Sequence, residues 1–291
     1  MTDATAVRFV GKDGIELVGD LRGDARDPLV VLLHGGGQTR HSWRGSADQV
    51  ASRGWSTLAL DARGHGESAW SESGDYRLES FAEDVRLAIG SCEEPPVLVG
   101  ASLGGLTAIL LSGELAPGVA RAVVLVDIVP DMEEAGAERI RAFMTDRAGT
   151  GFGSLDEAAD AVAAYNPHRP RPDDLAGLGK NLRERNGRFY WHWDPKFLDP
   201  LPGQGPEEIM DVARLHEATR RMVNDVPVLL VRGRSSDLVS ASKAAEFCDR
   251  FPAVEFVDVS GAGHMVAGDR NDAFTASVMS ILDRQRVGIT P

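Results

Sequence analysis

Short apolar runs of strand length alternate with stretches of helical spacing along most of this 291-residue chain. Eight of these runs are rich in Val, Ile, Leu or Ala and are bounded by turn-forming residues. They are Val7–Val10, Ile15–Leu21, Leu29–Leu33, Ser56–Leu60, Val97–Ala101, Ala122–Asp127, Val228–Arg232 and Val254–Val259. The alternation predicts an α/β fold with an eight-stranded, mostly parallel sheet and helices on both faces. The Asp13-Gly14 turn predicts that the first two strands form an antiparallel hairpin.

The strand pattern stops between residues 131 and 225. Helical patterns take its place at Glu133–Asp146, Leu155–Tyr165, Asp173–Arg185 and Glu207–Met222. Since a sheet strand should follow each core helix, we expect a helical cap inserted after the sixth strand. The predicted division is core 1–130, cap 131–225 and core 226–291, and the Pro- and Gly-rich stretches 166–172 and 194–206 are interpreted as loops.

The pentapeptide Gly100-Ala101-Ser102-Leu103-Gly104 follows a predicted strand and precedes a helical pattern. A serine between glycines in this setting is typical of a sharp strand-to-helix turn that exposes its hydroxyl. The glycines let the strand and the helix approach each other closely. The sequence therefore predicts Ser102 as a nucleophile at the carboxyl edge of the sheet.

A serine hydroxyl needs a base to remove its proton, and the base needs an acid to orient it. His264 lies in a Gly-rich loop directly after the last predicted strand and is the predicted base. Asp127 and Asp237 both end or follow strands and both satisfy the order Ser, Asp, His. We favour Asp237, because its strand directly precedes the one that leads to His264, and Asp127 stays as the alternative. His192, between two tryptophans, is interpreted as a packed or half-exposed ring.

The third predicted strand runs into His34-Gly35-Gly36-Gly37. Glycines let backbone N–H groups approach a developing oxyanion without a Cβ in the way. We predict that the amides of Gly36 and Leu103 form an oxyanion hole. No phosphate-binding glycine pattern occurs here, so a nucleotide is not expected.

Four aromatic residues fall within Phe189–Trp193, too many for one amphipathic face. Tyr190, Trp191, Trp193 and Trp43 are therefore predicted to contact the substrate, and further candidates are Met132, Phe143 and Met144. Each cap ring could equally dock the cap on the core. The expected substrate is a small or medium apolar ester or lactone, cleaved through an acyl-enzyme.

The formal net charge of −13 disfavours a surface that must neutralise phosphates, so no nucleic-acid partner is expected. The densest basic stretch, Arg183–Arg188, is interpreted as a solvated helix face. No run approaches the ~20 apolar residues that span a bilayer, and Met1–Val10 lacks the layout of a secretory signal. We therefore expect a cytoplasmic protein with no membrane partner.

Cys92 and Cys248 match no metal-ligand spacing and are interpreted as reduced structural thiols. No metal and no organic cofactor is implied by the motifs. The expected partner is a small-molecule substrate, and the oligomeric state stays open, a homo-oligomer included.

Taken together, these motifs resemble the α/β-hydrolase fold family, in the capped branch that includes epoxide hydrolases, haloalkane dehalogenases, esterases and lactonases. The resemblance rests on His34–Gly36, Asp61–Ser68, the Ser102 turn, Gly233–Asp237 and Gly263-His264, and the stretch Ala262–Asp269 is similar to epoxide hydrolases. Epoxide hydrolases and haloalkane dehalogenases carry aspartate at the turn, so a serine implies acyl transfer. Two alternatives stay open: a cofactor-free perhydrolase or carbon–carbon bond hydrolase that uses the same residues, and a ligand-binding receptor on a hydrolase scaffold.

Overall fold

The computed structural model describes residues 4–90, 92–165, 171, 175–199, 211–264 and 271–286. Its strands, numbered along the chain, are β1 Thr5–Val10, β2 Glu16–Arg22, β3 Leu29–Leu33, β4 Ser56–Leu60, β5 Val97–Ala101, β6 Ala122–Val126, β7 Leu182–Arg185, β8 Arg188–Trp191, β9 Val228–Gly233 and β10 Val254–Val259. Eight of them form one sheet in the order β1-β2-β4-β3-β5-β6-β9-β10. Strand β2 pairs antiparallel with β1 and β4, and all remaining pairs of this eight-stranded sheet are parallel. The predicted sheet is confirmed.

Helices cover both faces of this sheet. They are α1 Arg44–Ala51, α2 Leu78–Ile89, α3 Leu103–Leu110, α4 Glu134–Thr145, α5 Leu155–Tyr165, α6 Ala176–Gly179, α7 Val212–Asp225, α8 Ala241–Arg250 and α9 Asn271–Arg286. Alternate strand residues point to opposite faces: Val31 and Leu33 pack with α2, α3, α7 and α8, whereas Val30 and Leu32 pack with α1 and α9. Among the described residues, none of the helices combines the length and apolar character that crossing a membrane requires.

The inserted segment contains a β-hairpin that the sequence analysis did not predict. Leu182–Arg185 pairs antiparallel with Arg188–Trp191. Of the helix predicted over Asp173–Arg185, the described residues keep only Ala176–Gly179 as a helix; its C-terminal part is a strand, and Arg183–Arg188 is not a helix face. The turn residues Asn186 and Gly187 have φ of 52° and 73°. An Asn-Gly pair adopts this left-handed backbone readily and is a strong hairpin signal. The first strand has the sequence Leu-Arg-Glu-Arg, which lacks the alternation of apolar and polar residues that is typical of a strand.

The last helix of the interval 131–225 packs on the core. Leu215, Ala218 and Met222 of α7 are buried in the same cluster as residues of the sheet. The cap predicted over 131–225 therefore includes one helix that belongs to a core layer. The predicted start of that helix at Glu207, the end of the predicted loop 194–206, most of the loop 166–172 and the stretch Met265–Asp269 lie outside the described residues.

Candidate active site

Ser102 occupies the sharp turn between β5 and α3. Its backbone lies at φ 47° and ψ −116°. This conformation is strained for a residue with a side chain, and such strain is concentrated at functional sites. A Cβ on Gly100 would lie 2.3 Å from Gly104 O, and one on Gly104 would lie 2.3 Å from Leu33 O. The glycines are therefore required for the close contact of strand and helix, which places the half-buried serine at the sheet edge.

The imidazole of His264 is bound by the carboxylate of Asp127. His264 Nδ1 donates to Asp127 Oδ2 over 2.7 Å, and the aspartate side chain is fully buried. Asp127 Oδ1 accepts a hydrogen bond of 3.0 Å from Gly233 N. Because the acceptor is a carboxylate, the proton of the neutral ring lies on Nδ1 and the lone pair on Nε2. This tautomer is the one that a general base acting through Nε2 requires.

The structure contradicts the favoured position of Asp237 beside His264. The Asp237 carboxylate pairs instead with Arg139 Nε over 2.8 Å and is 41% exposed. Its backbone oxygen faces α4, where a Cβ on Gly136 would lie 2.3 Å away. The alternative considered for the acid, Asp127, is the residue that contacts the ring.

The physical reason for this exchange is a close crossing of two loops. A Cβ on Gly233, at the end of β9, would lie 2.1 Å from Gly263 O. The loop that carries His264 therefore crosses the end of β9 in close contact with Gly233. This crossing is possible because Gly233 has no side chain. His264 reaches across β9 to the end of β6, where Asp127 lies.

The same chain segment also holds the nucleophile turn. Ser102 N donates a hydrogen bond of 3.2 Å to Val126 O, and Asp127 is the next residue. Its backbone lies at φ 50°, so the carboxylate leaves the strand in an unusual direction for a non-glycine residue. Ser102 and His264 are thus brought to two adjacent residues at the end of β6.

The predicted oxyanion-hole residues lie beside Ser102. Gly36, Ser102 and Leu103 line the same cavity. Leu103 is the first residue of α3, so its amide has no acceptor within the helix. A Cβ on Gly35 would lie 3.2 Å from Ser102 Cβ. The two predicted oxyanion-hole residues and the predicted nucleophile therefore lie at the same cavity.

This cavity has a volume of about 250 Å³. It is mostly apolar, and Arg141 is the one cationic side chain among the described residues that line it. Its walls beyond the Ser102 region are Tyr76, Leu78, Leu106, Met132, Ala137, Ile140, Arg141, Met144, Phe197, Leu198 and Leu238. Helix α4 supplies four of these residues, and the stretch after β8 supplies Phe197 and Leu198.

The predicted substrate-binding aromatics are not among these lining residues. Trp43 is buried on the other face of the sheet, with its ring centroid 5.8 Å from that of Phe274. Trp191 stacks on Trp193 at 4.9 Å inside the inserted segment, and Tyr190 lies beneath the Arg185 guanidinium. Trp191 and Trp193 are buried in the interior of the segment, whereas the alternative considered for the cap rings was docking of the cap on the core.

Of the further candidates, Met132 and Met144 line the cavity, whereas Phe143 stacks on Tyr165. The sequence analysis missed Phe197 and Leu198, which fall within a stretch interpreted as a loop. Their only sequence signal is an apolar pair in a Pro- and Gly-rich context, and such pairs are common. Tertiary contacts alone bring them to the site.

The turn Asp61–Ser68 is a rigid neighbour of the site. Buried Asp61 accepts hydrogen bonds from Arg40 N at 2.6 Å and Glu67 N at 2.9 Å. His34 Nε2 accepts one of 3.0 Å from Ala62 N, which attaches the glycine loop to this turn. Burial lowers the pKa of His65 to about 3, so that ring is neutral near pH 7.

Within the described part of the chain, no group of His, Cys, Asp or Glu side chains is arranged to hold a metal ion.

The chain is similar to known proteins over most of its length. A model of the alpha/beta hydrolase fold matches residues 28–270. Esterase Rv0045c of Mycobacterium tuberculosis is 33% identical over 279 residues, covering 90% of this chain and 85% of that protein. The mouse sn-1-specific diacylglycerol lipase ABHD11 is 31% identical, covering 90% of this chain and 83% of that protein.

The crystal structure of an alpha/beta hydrolase from Novosphingobium aromaticivorans superposes with a TM-score of 0.80 at 26% identity, over 98% of this chain and 99% of that one. The matched family region includes Ser102, Asp127 and His264. The elements that carry the candidate site are therefore all part of the shared fold.

Proposed function

The chain belongs to the α/β-hydrolase fold family and is an α/β-hydrolase enzyme, and within this family we propose that it is a serine hydrolase that cleaves carboxylic esters through an acyl-enzyme. The relatives that support ester cleavage are named an esterase and a diacylglycerol lipase. The observation that carries the mechanism is the 2.7 Å hydrogen bond between His264 Nδ1 and Asp127 Oδ2, next to the Ser102 turn.

In the first half of the proposed reaction, Ser102 Oγ attacks the ester carbonyl while His264 Nε2 takes the hydroxyl proton. Asp127 keeps the ring in the required tautomer and stabilises the imidazolium that forms. The amides of Leu103 and Gly36 donate hydrogen bonds to the tetrahedral oxyanion. Collapse of this intermediate breaks the bond to the alkoxy group, which leaves as an alcohol with the proton from His264.

In the second half, water attacks the acyl-enzyme and gives its proton to His264 Nε2. The second tetrahedral intermediate forms in the same oxyanion hole. Its collapse releases the carboxylic acid and returns the proton to Ser102 Oγ. The cycle uses side chains and backbone amides of the chain and one water molecule.

The cavity supports a substrate with a small or medium apolar acyl group. Its volume of about 250 Å³ is slightly below the range of about 300–1,000 Å³ that is common for ligand pockets. Leu106, Ile140 and Leu238 are among the aliphatic side chains that face it. An ester with a short to medium chain, or a lactone of similar size, would bury its hydrocarbon against these residues.

Two measurements test this proposal together. A fluorophosphonate probe should label wild-type protein at Ser102, and p-nitrophenyl esters should be hydrolysed. Ser102→Ala should abolish labelling and lower kcat by up to ~10⁶-fold, the scale of triad deletions in other hydrolases. Ser235→Ala removes an exposed hydroxyl and serves as the matched control, with activity unchanged. Folded wild-type protein that neither reacts with the probe nor cleaves any ester of the series would refute the proposal.

A further inference from the structure

The residues that follow the hairpin, His192–Leu198, dock the inserted segment onto the candidate site. We call them the docking segment. Asp194 N donates to Gly64 O over 2.9 Å, and Tyr76 Oη donates to Asp194 Oδ2 over 2.6 Å. Phe197 contacts the ring of His65 at 4.8 Å between centroids and lines the cavity. The docking segment therefore contacts both the Asp61–Ser68 turn and the cavity next to Ser102.

Within the docking segment, the side chain of His192 joins two glycine turns. Gly66 N donates a hydrogen bond of 2.8 Å to His192 Nδ1. The other ring nitrogen, Nε2, lies 3.3 Å from Gly37 O. An amide N–H only donates and a carbonyl oxygen only accepts, so the ring has its lone pair on Nδ1 and its proton on Nε2. Both hydrogen bonds require this one neutral tautomer.

The surroundings favour the neutral ring. The residue is 1% exposed, and burial lowers the pKa of His192 well below its ordinary value. The nearby rings of His65 and His34 and the charge of Arg183 lower the pKa further, while the hydrogen bond to Gly37 opposes them. His192 therefore keeps its proton on Nε2 and its bond to Gly37 over the ordinary working range of pH.

Gly37 ends the loop that carries the predicted oxyanion donor. Its φ is 74°, and the turn is closed by a hydrogen bond of 3.1 Å from Gln38 N to Gly35 O. Three consecutive glycines have no side chains with which to fix their own backbone. Next to Gly36, Gly35 is held within the loop, because its N–H donates to Gln38 Oε1 over 3.2 Å and its carbonyl oxygen lies 2.8 Å from His34 Nδ1. On the other side of Gly36, the His192 ring contacts Gly37 O from outside the loop.

We propose that His192 is a positioning residue, whose neutral ring holds the Gly35–Gly37 loop in the orientation that the Gly36 amide needs to bind the oxyanion. This inference rests on the proposed ester hydrolysis and deepens it, since a residue of the inserted segment then orients a donor of the oxyanion hole. His192 touches no reacting atom in this proposal. It acts through the backbone of the glycine loop.

The test compares His192→Phe with His192→Gln. Phenylalanine keeps the planar bulk but cannot hydrogen-bond, whereas a Gln amide offers an acceptor for Gly66 N and a donor for Gly37 O. We expect His192→Phe to lower kcat for a p-nitrophenyl ester by about 10- to 100-fold, the range for a misplaced donor, with KM nearly unchanged. His192→Gln should recover a large part of this loss. His216→Phe, a His→Phe change outside the site, should leave both constants unchanged.

Hydrogen exchange gives a readout that does not depend on ester turnover. In His192→Phe, a peptide spanning Leu33–Thr39 should exchange faster than in wild type, while a peptide from α3 keeps its wild-type rate. Wild-type protein without ester turnover would refute the proposed function, and the exchange rates would still decide the role of His192. Unchanged exchange in the glycine loop overturns the inference, as does an equal loss of kcat in the Gln and Phe variants.

Discussion

The hydroxyl of Ser236 donates a hydrogen bond of 2.5 Å to Asp127 Oδ2, the same oxygen that accepts from His264 Nδ1. Ser236 Oγ in turn accepts hydrogen bonds of 3.1 Å from Leu238 N and from Val239 N. The loop after β9 thus does not supply the carboxylate. It holds a carboxylate that comes from β6, and it fixes the orientation of that group before any substrate binds.

The two aspartates should respond differently to the same change. Asp127→Asn exchanges an acceptor for a donor opposite His264 Nδ1, which favours the wrong tautomer. We expect kcat to fall by about 10⁴-fold, the scale seen when this substitution is made in a serine protease. Asp237→Asn loses an exposed pair with Arg139 and should stay near wild-type activity. Steady-state kinetics on one p-nitrophenyl ester decides, and the reverse ranking would restore Asp237 as the acid.

Removing the Ser236 hydroxyl should weaken catalysis without removing it. In Ser236→Ala, Asp127 Oδ2 loses one of its donors and the ring loses part of its orientation. Since a hydrogen bond to a charged group contributes about 1.5–3 kcal/mol, kcat should fall by about 10- to 150-fold. The side chain of neighbouring Ser235 is exposed, so Ser235→Ala is the control. Equal kcat values in the two variants would show that this hydrogen bond does not matter for turnover.

The size of the cavity should set the chain length of the acyl group. Ala137 lies on α4 and faces the cavity, so Ala137→Phe places a ring in the space that an acyl chain would use. We expect kcat/KM to fall more for hexanoate than for acetate esters. Glu138→Phe adds the same ring at the next, exposed position of α4 and should leave the preference unchanged. A uniform loss across the ester series in Ala137→Phe would argue against this binding site.

Buried His65 should make the fold less stable in mild acid. Burial lowers its pKa from 6.5 to about 3, so between these values the unfolded chain binds a proton that the folded chain does not. The free energy of unfolding therefore falls as pH drops below about 6.5, by up to ~1.4 kcal/mol per pH unit for this ring.

Urea denaturation at pH 7 and pH 5 measures this contribution. His65→Phe removes the titrating ring, so its loss of stability between the two pH values should be smaller than that of wild type by about 2 kcal/mol. His41→Phe, on a less buried ring, is the comparison. The same pH dependence in wild type and His65→Phe would mean that His65 keeps an ordinary pKa in the fold.

Local patterns were sufficient wherever an element forms from its own residues. All eight strands of the sheet have the expected positions to within two residues. Most of them are buried parallel strands, which appear in a sequence as short continuous aliphatic runs. The Ser102 turn and the loop with His264 were found in the same way, from glycines at strand ends. The hairpin at Leu182–Trp191 was missed, because its Asn-Gly turn was outweighed by charged residues with apparent helical spacing.

The sequence by itself determined the sheet, the family resemblance, the nucleophile turn and the histidine loop, since each depends on residues that are neighbours along the chain. Only the tertiary structure decided which carboxylate meets His264, which side chains line the cavity and what His192 contacts. Strand order in the sheet and the crossing at Gly233 bring Asp127 to the ring. Such distances join residues more than a hundred positions apart, and packing alone fixes them.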